Sequence, residues 1–156
     1  MNAMRRVLLA VMVMVSSCAY SLELPGTVGE WRCVKEQIVP LVADADGSYL
    51  GRMVYRDYVR ETPAGNLLVI LTEGRGTGSL YVPDNMNSSQ GAMPSDAGYK
   101  ILDIAGRKAI LEQSQYLPRV LAISVGKDVV ITIETNALGE DGITEFAERL
   151  FAGFNS

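Results

Sequence analysis

Hydrophobic and polar residues alternate most regularly in the last third of the chain. In Val120-Leu121-Ala122-Ile123-Ser124-Val125 and Val129-Val130-Ile131-Thr132-Ile133-Glu134 every second residue is large and apolar, and Gly126-Lys127-Asp128 separates the two runs. A period of two on either side of a short glycine-containing loop predicts an antiparallel hairpin with one buried face. Leu121, Ile123, Val125, Val129, Ile131 and Ile133 fall on that face, with Ser124, Thr132 and Glu134 opposite. The period then lengthens. Ile143, Phe146, Ala147, Leu150, Phe151 and Phe154 recur at helical spacing, so an amphipathic helix closes the chain. Asp141 is its expected N-cap, and Glu140 and Glu145 place negative charge near its positive end. An apolar sheet face and an apolar helix stripe bury each other.

Two more hairpins are legible upstream. Residues 53–60 and 66–73 flank Thr62-Pro63-Ala64-Gly65, and residues 99–104 and 108–113 flank Ala105-Gly106-Arg107. Residues 33–42 form a weaker strand, broken near Pro40, after an irregular stretch holding Pro25, Gly26 and Gly29. The sum is an α+β fold. A single domain over residues 22–156 has an antiparallel meander of about six strands, covered on one face by the C-terminal helix. A small closed β-barrel with the same helix is the alternative.

Residues 1–21 have a different character. Arg5-Arg6 precedes an uncharged apolar run, residues 7–15, and small residues follow. These are the three parts of a secretory signal peptide, and nine apolar residues fall short of the about 20 that cross a bilayer core. Cleavage after Ala19 or Ser21 fits. Val15-Ser16-Ser17-Cys18 also resembles the lipobox of bacterial lipoproteins, which implies acylation of Cys18 and a lipid anchor. Either way the domain is expected to be exported, to the periplasm or the cell envelope. Cys33 is then left without a cysteine partner, and its neighbours Trp31 and Val34 point to a buried thiol.

Charge and composition narrow the chemistry. Among 156 residues, 14 basic against 18 acidic side chains give a net charge of −4. Nucleic acid and anionic lipid, which need a basic footprint, are therefore not the expected partners. The chain has no histidine. Ser-His-Asp and Cys-His catalysis and imidazole metal sites are thereby removed, which leaves carboxylate pairs or lysine for acid–base work. Pairs such as Asp57 with Glu73, or Glu112 with Glu134, can be written down, but spacing alone does not bring them together.

Four local patterns invite a sharper reading. Arg52, Arg56 and Arg60 lie on one strand face with Tyr58 between them, a candidate anion- or carbohydrate-binding strip. The plainer reading is a solvated face whose arginines pair with acids. Gly74-Arg75-Gly76-Thr77-Gly78-Ser79 is glycine-rich but lacks the Gly-Lys-Ser/Thr ending and following helix of a phosphate loop, so it reads as a mobile loop. Asp44-Ala45-Asp46-Gly47 has its glycine too early for a calcium loop. Ser124-Val125-Gly126-Lys127 matches Ser-x-x-Lys on a strand and turn, where that chemistry needs a helix. The Asn- and Ser-rich residues 84–98 lack periodicity, and with residues 74–83 they are the first place to expect a working surface.

The expected function is accordingly a non-catalytic envelope protein, a binding or assembly accessory with a protein partner. A carrier of an apolar ligand such as lipid is the alternative, and a carboxylate-dependent hydrolase is the third. No cofactor or metal is expected, and membrane contact is expected only if Cys18 is acylated.

Overall fold

The computed structural model describes residues 22–43, 45, 47–80 and 98–154. Residues 1–21, read above as a signal peptide and including Cys18, and most of the Asn- and Ser-rich segment lie outside the described residues. Eight strands and one helix follow in order: β1 (Thr27–Val28), β2 (Trp31–Val42), β3 (Tyr49–Arg60), β4 (Gly65–Gly74), β5 (Gly98–Ile104), β6 (Arg107–Gln113), β7 (Arg119–Gly126), β8 (Val129–Thr135) and α1 (Glu140–Gly153). The strands form one antiparallel sheet in the order β1-β2-β3-β4-β8-β7-β6-β5.

Two four-stranded meanders are thus joined where the last strand of each, β4 and β8, pair with one another. The α+β class and the C-terminal helix are as the periodicity predicts, while several expectations need correction. The strands number eight rather than about six: the two residues of β1 are too few to show alternation, and the largely exposed residues 33–42, legible only as a weak strand, form the full-length β2. The sheet does not close into a barrel: β1 and β2 lie at one side and β5 at the other. The expected break near Pro40 does not occur: β2 runs through it in continuous register with β3, which shifts only at Cys33/Lys35 and Leu41/Val42, and Pro40 merely lacks an N–H to donate.

Continuous register sorts the residues onto two faces. Val54, Leu71, Ile131, Ile123 and Ala109 succeed one another across five strands on the helix side. Onto this row α1 lays Ile143, Ala147 and Leu150, all fully buried, with Phe146 and Phe151. Phe146 meets the ring of Trp31 edge-on at 5.8 Å and that of Tyr58 at 5.7 Å, the favoured geometry for aromatic pairs. The helix begins two residues earlier than expected, so Asp141 is not its N-cap. Gly139, extended at φ −74°, is the N-cap, and Glu140 and Asp141 occupy the first turn.

Removing Phe146 empties the point where helix, β2 and β3 converge. Phe146→Ala is expected to cost about 3–5 kcal/mol of unfolding free energy, measured by urea titration. Leu117→Ala, at a side chain 62% exposed, is expected to stay within about 0.5 kcal/mol.

Candidate functional site

The arginine strip lies on the helix side of β3, and each of its members has an internal contact. Arg52 Nε donates to Glu73 at 2.5 Å, and its Nη2 to the Leu22 carbonyl at 3.2 Å. Arg56 holds Glu36 and donates to the Leu24 carbonyl. The Tyr58 hydroxyl donates to the Pro25 carbonyl, and the ring is fully buried. Arg60 donates to Pro63 and sits 4.6 Å from the centre of the Trp31 ring. Residues 22–25 are therefore pinned across β3 by side chains that alternation places there. Burial pushes the Tyr58 phenol up, and the neighbouring Arg56 offsets part of that rise. For Arg56 burial acts downward, but its bonds to Glu36 and Tyr58 prevail and hold the guanidinium above its ordinary value.

The glycine-rich loop is clamped as well. Gly74 and Gly78 donate their amides to Asp128 and Lys127 carbonyls, and Gly76 donates to Asp128 Oδ1 at 2.8 Å. The donors that would cradle a phosphate are thus spent on the β7–β8 turn, and a Cβ at Gly78 would lie 1.7 Å from the Gly126 carbonyl oxygen. Ser124 Oγ donates to the Gly78 carbonyl, the same fastening from the other side.

The Cys33 thiol is half-buried rather than buried, donates to the Lys35 carbonyl at 3.3 Å, and lines an open groove of about 830 Å³ with Glu36, Arg56 and Phe154. At the start of α1, Glu140 accepts from Lys100 and from Gln113 at 3.1 Å. Lys100 first, and then Gln113, hold its carboxyl below the usual carboxylate range.

The second face of the sheet has no helix over it among the described residues. One cross-strand row there reads Tyr55, Ile70, Thr132, Ala122, Ile110 and Ile101, mostly apolar and half-buried or exposed. The next reads Asp57, Leu68, Glu134, Val120, Glu112 and Tyr99. Asp57 and Glu73 point to opposite faces, so that carboxylate pair does not form. Glu112 and Glu134 do share a face, two strands apart. Sequence reasoning missed another association: Asp57 and Glu134, also two strands apart, line one cleft of about 420 Å³ with Asn66, Leu68 and Pro118. The pairing of β4 with β8 creates it, and no local pattern announces a contact between strands 60 residues apart. Beyond Pro118, Tyr116 and Leu117 are 84% and 62% exposed. No metal-ligating group of three or more Cys, Asp or Glu side chains occurs among the described residues.

No protein-family model, curated protein or solved structure matches the chain.

The Tyr58 hook and the Glu140 tie are each testable. Tyr58→Phe keeps the buried ring and removes one hydrogen bond, so it is expected to cost about 1 kcal/mol in urea unfolding. It should also speed amide exchange in the segment that Tyr58 holds. Glu140 has a depressed folded-state pKa, so its contribution is present above the ordinary carboxylate value of 4.5 and is lost as pH falls through the folded value. Glu140→Gln is expected to be less stable than the parent at pH 7, with the difference vanishing in strong acid when thermal unfolding is followed against pH.

Proposed function

We propose that this chain is an exported, non-catalytic accessory protein of the cell envelope that binds another protein through the sheet face that no helix covers among the described residues. The observation that carries the reading is the asymmetry of the sheet. One face is closed by α1 and by residues 22–25, while the other presents a half-buried, mostly apolar row through Tyr55, Ile70, Thr132, Ala122 and Ile110. Contiguous apolar surface of this kind, bordered by polar residues, marks interaction sites on soluble proteins. The signal-like residues 1–21 support the envelope address. No helix among the described residues is long and apolar enough to cross a membrane.

The reading favours a protein over an apolar small ligand for one reason. The stripe of α1 packs directly onto the sheet, with Ile143, Leu150, Ile131 and Ile133 all fully buried, so the apolar surface on offer is a broad face rather than an interior chamber. A photo-crosslinking side chain placed at position 122, on the open face, is expected to yield a discrete protein adduct in the native envelope. The same group at Glu148, on the exposed side of α1, should not. Equal adducts from both positions, or lipid adducts alone at 122, would overturn the proposal.

A further inference from the structure

We infer that the partner of the open face is a basic amphipathic segment, apolar along one side and carrying Lys or Arg at its margin. The inference rests on the reading of that face as an interaction surface, and adds the chemistry of what it accepts.

The argument is the charge left over on the face. Asp57, Glu134 and Glu112 occupy every second strand of one row, roughly 9.5 Å apart in backbone spacing, and Lys35 of β2 stands opposite Asp57 at its end, which leaves the row a surplus of two negative charges. The row directly beside it is the apolar one that contains Ile70 and Ala122. The ion pairs among the described residues are Arg32–Glu61, Arg52–Glu73, Arg56–Glu36, Lys100–Glu140 and Arg149–Glu145. None of them uses a carboxylate of the open-face row. On the covered side, where the sheet meets its own chain, Glu73 and Glu36 each hold a guanidinium beside apolar neighbours. A Lys or Arg brought to the cleft of Asp57 and Glu134 would complete the same arrangement on the open side. The partner's apolar residues would meet the Ile70 row, and Tyr116 and Leu117 would add exposed apolar surface next to the cleft wall at Pro118.

The same charges disfavour the other occupants. A second copy brings the same acidic row from a chain of net charge −4, and an anionic lipid surface or nucleic acid brings more negative charge still.

The test uses the full chain and two labelled 18-residue helical peptides with identical leucine stripes, one flanked by lysine and one by glutamate. Fluorescence anisotropy at low and moderate salt gives the affinities. The lysine peptide is expected to bind at least tenfold more tightly than the glutamate peptide. Asp57→Asn with Glu134→Gln should remove most of that preference, and Ile70→Gln should weaken binding several-fold. Glu30→Gln with Glu148→Gln, which removes two exposed charges elsewhere, should change little. Thermal melting of each variant confirms folding. Equal binding of both peptides, no binding of either, or equal loss from the control pair would overturn the inference. So would a stable homodimer in sedimentation that Ile70→Gln dissociates. A position-122 protein adduct that persists when the lysine peptide fails leaves the interaction face standing and removes only its basic preference. Loss of both removes the face itself.

Discussion

A helix of 14 residues is about 21 Å long, whereas an eight-stranded sheet is about 34 Å across. The molecule therefore has to bury the stripe of α1 against a sheet that α1 alone cannot cover. The centre of the covered face is closed by direct packing, with Leu121, Ile123, Ile131 and Ile133 under Ile143, Ala147 and Leu150. Phe146 carries α1 over Trp31 and Tyr58, and beyond the C-terminal end of the helix, where Gly153 lies beside Pro25, residues 22–25 take over along β3. Leu24 is buried in the same core as Val28, Trp31 and Phe146. Where the sheet outruns its helix, an irregular piece of chain supplies the missing cover.

That solution explains the arginines. An irregular segment laid on a sheet face has carbonyls with no ladder to join, and buried carbonyls need donors. Arg52, Arg56 and Tyr58 supply them to Leu22, Leu24 and Pro25, while the arginine stems lie along apolar surface and their heads pair with Glu73 and Glu36. A row that resembles a binding strip is thus part of the scaffold. Its donors are aimed at the protein's own backbone.

The parts legible in the sequence are those whose partners are near in the chain. The β7–β8 hairpin, the β5–β6 hairpin and the stripe of α1 all follow from local period, and the register of Leu121 with Ile133 and Ile123 with Ile131 places them as alternation requires. Long-range pairing has no such signature. Nothing near Leu68 or Glu134 states that β4 and β8 are neighbours, yet that contact joins the two meanders and brings Asp57 beside Glu134. Alternation also distinguishes two faces without saying which one is covered. Arg56 and Tyr58 on one side of β3, and Tyr55 and Asp57 on the other, are equally amphipathic as strings of letters. Only the course of residues 22–25 decides between them. The glycine-rich loop was misread for the same reason, since the Asp128 and Lys127 acceptors that fasten it lie some 50 residues away.

A sheet face with an apolar row that no helix covers among the described residues is a hazard as well as an opportunity, because such a row invites the protein's own copies before any other partner. The placement of charge answers this. Acids set in the row beside the apolar one, on a chain already negative, make a second copy an electrically poor match. Pro40, with no N–H to donate, and the register shifts at Cys33/Lys35 and Leu41/Val42 make β2 a poorer template for a further strand in the same sense. A carboxylate on such a surface weakens every apolar contact that requires its desolvation, unless the arriving molecule carries a cation to the same place. The acidic row thereby performs two tasks with one set of side chains. On the proposed reading it discourages indiscriminate association and reserves the apolar row for a partner whose own charges repay the desolvation of Asp57 and Glu134.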